Sequence, residues 1–129
     1  MDYVTIFKAL GDETRLRILN LFLQSDERIC VCEMVDALNL PQYTISKQLN
    51  IFRSADLIKS GRQGTWVYNQ LNQEPTGFLS GLFELLKKQL SGKYSEDIEQ
   101  LNKRLALREK GVCIVGVIPK EELEEAYRQ

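Results

Sequence analysis

The apolar positions at the start of the chain are spaced as in helices. Between Tyr3 and Leu23 they recur three and four residues apart, with a break at Gly11-Asp12. This pattern predicts two helices. Asp12 is well placed to cap the second one, because its carboxylate can accept hydrogen bonds from the backbone N–H groups left without partners at a helix start.

A second pair of helices follows. A short helix is predicted from about Glu33 to Leu38, and a longer one runs from Gln42 to about Ala55. The turn between them is Asn39-Leu40-Pro41, since proline is tolerated at the beginning of a helix. The inward stripe of the longer helix consists of Ile45, Leu49 and Phe52.

The segment L-I-K-S-G-R-Q-G-T-W-V-Y-N-Q-L, residues 57–71, has the pattern of a β-hairpin. Two β-prone stretches flank Gly61-Arg62-Gln63-Gly64, and glycine at a reversal between such stretches is a hairpin signal. Helix, turn, helix and hairpin in this order are typical of a winged helix-turn-helix. The predicted fold class is therefore mainly α with a small β-hairpin.

The later helices are amphipathic. Gly77 to Leu90 carries an apolar stripe that is broad for a small domain, which favours burial against another subunit and hence a homodimer, although packing within the chain is an alternative. Another helix is predicted from Ser95 until about Gly111. Its inward residues are Ile98, Leu101 and Leu105, and its outward residues are Glu96, Glu99, Lys103 and Arg104.

The last part of the chain is predicted to be extended over 112–119 and to form a short helix in K-E-E-L-E-E-A-Y-R, residues 120–128. We divide the chain into a winged helix-turn-helix DNA-binding and dimerisation domain, 1–91, and a C-terminal helical and extended extension, 92–129. With 129 residues the chain has room for one real core.

Composition narrows the chemistry. The chain has no histidine, which removes the commonest general base and every zinc site that uses histidine, so an enzyme is not expected. No membrane-spanning run and no signal peptide are evident, so we expect a cytoplasmic protein without a membrane partner. Its three cysteines should then stay reduced, and a structural disulfide is a poor default.

A basic window is hidden in a chain whose formal net charge is −1. Residues 40–69 contain four basic side chains and one acid, Asp56. The window coincides with the second helix of the pair and with the hairpin, where phosphate contacts would be needed. The basic residues are Lys47, Arg53, Lys59 and Arg62.

Cys30 and Cys32 lie two positions apart in E-R-I-C-V-C-E-M, residues 27–34. On a helix such side chains point about 200° apart, whereas on an extended segment they share a face. A clamp for one soft ion therefore requires that 29–33 be extended or locally unwound. Burial as two small apolar side chains and a thiol–disulfide sensor are the alternatives.

Four segments together resemble the ArsR family of arsenic- and metal-responsive winged-helix repressors, over about residues 3–90. They are A-L-G-D-E-T-R-L-R-I-L (9–19), I-C-V-C-E-M (29–34), L-P-Q-Y-T-I-S-K-Q-L-N-I-F-R-S-A-D-L-I (40–58) and R-Q-G-T-W-V-Y (62–68). The resemblance implies a homodimer, joined by the first helix and the helix after the wing. It also implies a palindromic double-stranded operator, which is released when metal or metalloid binds.

The same resemblance assigns residues to the two sites. It places DNA contacts on the second helix of the pair and in the wing, although Tyr43 stands where small polar residues are usual. The DNA-binding candidates, including Arg53 from the basic window, are Gln42, Tyr43, Thr44, Ser46, Lys47, Gln48, Arg53, Arg62 and Gln63.

The inducer expected from the resemblance is trivalent arsenic or antimony, bound by cysteine thiolates. The family's third cysteine is absent, because Val35 stands in its place. Trivalent arsenic prefers three sulfurs, so Cys113, from the same chain or a partner, is the remaining candidate beside Cys30 and Cys32. Other thiophilic ions such as cadmium or lead, redox control, and a protein-interaction module that does not bind DNA are the alternative functions.

Overall fold

The computed structural model describes residues 2–114, 116–118 and 121–122. It confirms a mainly helical winged helix-turn-helix with a small antiparallel sheet. Within these residues no helix is long and apolar enough to cross a membrane. The elements are α1 (Tyr3–Leu10), α2 (Glu13–Ser25), β1 (Ile29–Cys30), α3 (Val31–Leu38), α4 (Gln42–Ser54), β2 (Ile58–Gln63), β3 (Trp66–Leu71), α5 (Gly77–Gln89) and α6 (Ser95–Leu105).

Helix α2 lies at the centre of the core. It begins where the sequence predicts, since the Asp12 carboxylate accepts a hydrogen bond of 3.0 Å from the backbone N–H of Arg15. The predicted inward stripe of α4 is also confirmed, because its three members are at most 1% exposed. The buried residues that α2 and α4 contribute include Ile18, Leu19, Phe22, Ile45, Leu49 and Phe52.

The sheet has the strand order β1-β3-β2, with both pairs antiparallel. The hairpin closes at the pair Gln63 and Trp66, so its turn is Gly64-Thr65 and not the predicted Gly61 to Gly64. Gly64 has a φ of 61°, which a tight two-residue reversal requires, whereas Gly61 continues the regular strand β2. Arg62 consequently lies one residue pair below the tip, opposite Val67.

Helix α6 packs differently from the prediction. Glu96 and Glu99 are exposed as expected, but Arg104 was predicted to face outward and is fully buried. A buried guanidinium needs a partner, and Asp36 of α3 supplies one. The helix also ends at Leu105, with Ala106 as its C-cap, and not at Gly111.

A tight turn after α6 brings the chain back towards α3. The backbones of Glu109 and Val112 pair through two hydrogen bonds, of 3.0 and 2.9 Å. Between them Lys110 and Gly111 both have positive φ, as a two-residue reversal of this kind demands. Beyond this bridge no strand occurs in 113, 114 and 116–118, and the predicted helix over 120–128 lies, except for 121–122, outside the described residues.

Candidate functional site

The three cysteines meet in one cluster. The Sγ atoms of Cys30, Cys32 and Cys113 all lie within 4.8 Å of one another, and those of Cys32 and Cys113 are 3.7 Å apart. Cys30 and Cys113 are buried, whereas Cys32 is partly exposed. The third thiol comes from the same chain, so three soft donors face a common point without a partner subunit.

The CxC pair converges because it straddles the end of a strand and the start of a helix. Cys30 ends β1 and is the N-cap residue of α3, with φ −80° and ψ 155°, and Cys32 is the second residue of that helix. The divergence expected on a regular helix therefore does not apply. The backbone N–H of Cys30 donates a 3.0 Å hydrogen bond to the carboxylate of Glu33, which fixes this helix start.

Tyr68 of β3 holds both ends of the cluster. Its backbone pairs with that of Cys30 in the sheet, and its phenolic oxygen accepts a 2.9 Å hydrogen bond from the backbone N–H of Cys113. The Arg28 guanidinium lies over the Tyr68 ring, 4.2 Å from its centroid. The reversal at Lys110-Gly111 and this hydrogen bond together place Cys113 beside the CxC pair.

A buried guanidinium borders the thiols. Arg104 donates through Nε to the Asp36 carboxylate at 2.7 Å and through Nη2 to the Gly116 carbonyl at 2.9 Å. The same Nη2 lies 3.8 Å from the Sγ of Cys32 and 4.0 Å from that of Cys113. Asp36 in turn accepts hydrogen bonds of 2.9 and 3.1 Å from the backbone N–H of Ile118. Arg104 and Asp36 thus bind the tail to α3 at the thiol cluster.

The surroundings divide the thiols into one acidic and two weakly acidic groups. A hydrogen bond from Cys30 lowers the pKa of Cys32 to about 7, helped by Cys113 and Arg104 and opposed by burial. The pKa of Cys30 is raised because its thiol donates to Cys32 and because it is buried. Burial is also the main cause that raises the pKa of Cys113. Cys32 is therefore the sulfur that ionises first.

A second buried ion pair supports the start of α3. Arg108 donates through Nε and Nη2 to both oxygens of the Glu33 carboxylate, at 2.8 and 2.6 Å. Its Nη2 also donates to the Arg28 carbonyl at 2.7 Å. Glu33 is fully buried, and this bidentate ion pair offsets the cost of removing its carboxylate from water.

The proposed DNA-reading side chains lie on and beside α4. Gln42, Tyr43 and Lys47 are exposed, and Tyr43 is 77% exposed. Thr44, Ser46 and Gln48 are partly buried, and Gln48 accepts a 2.9 Å hydrogen bond from Arg15. This bond ties the side chain of Gln48 to α2.

Arg53 connects α4 to the hairpin. Its Nη1 donates to Ser60 and to Asn69, each at 2.9 Å, and its Nη2 donates to Asn50. The guanidinium therefore has a structural role in holding the wing. Arg62 and Gln63 are exposed near the hairpin end. DNA contacts by all of these residues stay predictions.

An apolar face is exposed where α1 and α5 lie side by side. The Phe78 ring is 4.8 Å from that of Tyr3 and 6.1 Å from that of Phe7, centroid to centroid. Such a grouping on one face marks an interaction surface more often than a chance patch. The exposed members of this α1–α5 face are Tyr3, Val4, Phe7, Phe78 and Leu85.

Comparisons with known proteins agree with this architecture. The model of the family described as "Bacterial regulatory protein, arsR family" matches residues 12–60. The arsenical resistance operon repressor of Bacillus subtilis is 38% identical over 79 residues, which are 60% of this chain and 74% of that protein. The chain belongs to the ArsR family. This is a family of transcriptional regulators, not of enzymes.

Two further similar proteins show how much of the chain the family resemblance covers. The arsenic resistance transcriptional regulator ArsR2 of Pseudomonas putida is 46% identical over 69 residues; these are 54% of this ArsR-family chain and 59%, less than two thirds, of that protein. The structure of HlyU from Vibrio cholerae matches with a TM-score of 0.59 and 27% identity, over 68% of this chain and 90% of the other. The family match at 12–60 contains Cys30 and Cys32 but ends before Cys113.

Sequence reasoning identified the cysteines but missed the charged residues and the tyrosine around them. Glu33 and Asp36 stand three positions apart in the otherwise mostly apolar V-C-E-M-V-D-A-L of α3, and Arg104 and Arg108 stand four positions apart near the end of α6. Two acids about one turn apart on an otherwise mostly apolar helix, and two arginines about one turn apart at the end of another, are the signal that could have found them.

Proposed function

We propose that this chain is a homodimeric repressor that binds double-stranded operator DNA and leaves it when arsenite or antimonite binds to Cys30, Cys32 and Cys113. The observation that carries the proposal is the convergence of three thiols within 4.8 Å in an ArsR-family fold. The proposal is supported by two relatives whose names refer to arsenic or arsenical resistance.

The donor set suits a trivalent metalloid. Thiolates are soft donors that prefer thiophilic ions, and three of them satisfy the pyramidal coordination of trivalent arsenic. Zinc in a structural site is almost always four-coordinate, and this chain has neither a fourth cysteine nor a histidine. The thiolate of Cys32, the most acidic of the three thiols, would form the first bond to the metalloid, and Cys30 and Cys113 would complete the site.

The position of the cluster supplies a route to the DNA-binding elements. Cys30 and Cys32 form the start of α3, and α3 packs against α4, which carries the proposed recognition residues. An ion bound by all three sulfurs would couple the start of α3 to the tail at Cys113. A regulator needs different ligand affinities in its DNA-bound and free states, and a shift of α3 against α4 on ligand binding would provide that difference.

DNA binding should depend steeply on salt. Three exposed basic residues, Lys47, Lys59 and Arg62, are available on each protomer, or four with Arg53. At about −0.9 per phosphate neutralised, a dimer is expected to give a slope of log K against log[salt] between about −5 and −7. Binding is measured by fluorescence anisotropy, with a duplex that the protein selects from a random-sequence pool.

Lys47→Ala should make that slope shallower by about 2, because each dimer loses two phosphate contacts. The matched control is Lys93→Ala, an exposed lysine between α5 and α6, which should leave the slope unchanged. Arsenite added to the reduced wild-type protein should weaken binding. A flat salt dependence would exclude operator binding, and binding that arsenite does not alter would exclude the sensor.

Dimerisation is expected to use the α1–α5 face. Leu85 is 54% exposed in the monomer, so Leu85→Asp should leave the fold intact but place two charges in the interface. Sedimentation velocity at micromolar concentration should show a dimer for the wild type and a monomer for the variant. Tyr43→Asp, at the more exposed Tyr43 of α4, is the control and should remain dimeric. A dimeric Leu85→Asp variant would place the interface elsewhere.

A further inference from the structure

Two buried ion pairs lie beside the thiol cluster in the described part of the chain. They are Arg104–Asp36 and Arg108–Glu33, in which the exposed fraction of every side chain is 7% or less. Arg104 approaches the sulfurs most closely, with its Nη2 3.8 Å and 4.0 Å from two of them. At the rim Arg108 also contacts the half-exposed Glu27 at 3.6 Å, and Arg28 covers Tyr68.

The complexes that three thiolates form with different thiophilic ions differ in net charge. With arsenite, As(OH)₃, three As–S bonds form, three As–O bonds break and the three hydroxides leave as water. They take the protons of Cys30 and Cys113 and a third proton, which comes from Cys32 or, where Cys32 is already a thiolate, from solvent, so the occupied site is neutral. With a divalent ion such as Cd²⁺ every proton still bound to the three thiols goes to solvent, and the trithiolate complex carries one negative charge. In a buried place this difference of one charge is costly unless a neighbouring group balances it.

We infer that Arg104 and Asp36 set the charge that the trithiolate site accepts, and thereby its selectivity between trivalent and divalent thiophilic ions. The inference rests on the proposed thiol site. The guanidinium, next to two sulfurs, stabilises negative charge on them, and the Asp36 carboxylate, bonded to the same guanidinium at 2.7 Å, offsets that stabilisation. As long as both charges are present, the neutral trivalent complex is favoured over the anionic divalent one.

Removing either charge alone has opposite consequences. Asp36→Asn removes the negative charge that lies 2.7 Å from the Arg104 guanidinium, so the affinity for a divalent ion should rise relative to that for a trivalent one. Arg104→Gln removes the positive charge and leaves that of Asp36, so the affinity for a divalent ion should fall relative to that for a trivalent one. If the contact merely held the tail in place, both variants would bind both ions more weakly. The ratio of the Cd²⁺ affinity to the arsenite affinity would then not move in opposite directions in the two variants.

The experiment measures the dissociation constants of arsenite and of Cd²⁺ on the reduced full-length protein, from the ultraviolet sulfur-to-metal charge-transfer bands, in the absence of DNA. The affinity for Cd²⁺ relative to arsenite should rise about tenfold or more in Asp36→Asn and fall about tenfold or more in Arg104→Gln. The matched controls are Asp97→Asn and Arg17→Gln, which break an ion pair at the other end of α6 and should leave the ratio unchanged.

Arg104→Lys keeps the result decisive if Asp36→Asn fails to fold. It retains the positive charge, so its ratio should stay near the wild-type value while that of Arg104→Gln falls. Shifts in the same direction for Asp36→Asn and Arg104→Gln, or equal ratios for Arg104→Lys and Arg104→Gln, would overturn the inference. Failure of the wild type to bind arsenite would refute the proposed function instead, and the Cd²⁺ affinities of the variants would still test the role of the charges.

Discussion

Cys32→Ser should abolish the arsenite response while leaving operator binding intact. Cys32 is the most accessible thiol of the cluster and the one whose pKa is lowered, to about 7. A serine hydroxyl is a harder ligand and does not ionise near neutral pH, so we expect arsenite affinity to fall on the order of a hundredfold or more. Anisotropy of labelled operator DNA during arsenite titration measures both properties on one sample.

Cys113→Ser tests whether Cys113 is a ligand in addition to Cys30 and Cys32. X-ray absorption at the arsenic edge should count three sulfurs in the wild type and two in this variant, because Cys113 lies 3.7 Å from Cys32 in the same chain. Circular dichroism verifies that both serine variants fold. A Cys32→Ser protein that releases DNA at the wild-type arsenite concentration would show that the CxC pair is not the sensor, and an unchanged sulfur count would remove Cys113 from the site.

Local elements of the fold could be predicted because their signals are local. Apolar spacing, the Asp12 cap and the glycine-containing hairpin each depend on a few neighbouring residues, and the structure bears them out. The predicted reversal, Gly61 to Gly64, begins three residues before the observed turn, because Gly61 and Gly64 give equivalent signals in the sequence. Only the strand register, with Gln63 opposite Trp66, distinguishes them.

The surroundings of the thiols could not be predicted, because they depend on contacts between distant segments. A charged residue on an amphipathic helix is ordinarily assigned to solvent, since burying it is costly unless it is paired. The partner of Arg104 is 68 residues away along the chain, and that of Arg108 is 75 residues away. The geometric condition for the CxC pair could be derived from its spacing: residues 29–33 must be extended or locally unwound. The strand-to-helix boundary at Cys30 meets half of it, because the segment is extended up to Cys30 and helical from Val31.

Arg108→Met should lower the free energy of unfolding by about 3–5 kcal/mol, the usual cost of removing one partner from a buried ion pair. The Arg108 side chain is 7% exposed and that of Glu33 is 0% exposed. The substitution leaves the Glu33 carboxylate without its bidentate partner and the Arg28 carbonyl without a donor. Urea denaturation at a fixed protomer concentration measures the loss, since the stability of a dimer depends on concentration.

The cause of that loss can be separated from simple loss of packing. Adding Glu33→Gln to Arg108→Met removes the uncompensated charge, so the double variant should be more stable than Arg108→Met alone. Lys59→Met is the matched control, because it breaks an exposed ion pair: the side chain of Lys59 is 55% exposed and that of Asp56 is 75% exposed. This substitution should lower the free energy of unfolding by less than about 1 kcal/mol. If Arg108→Met costs no more than Lys59→Met, water reaches Glu33 and the ion pair does not hold the start of α3. A large loss that Glu33→Gln partly reverses would instead show that the unpaired charge on Glu33 causes it. Arg108, three residues beyond the end of α6, would then be a residue that stabilises the start of α3 at Cys30.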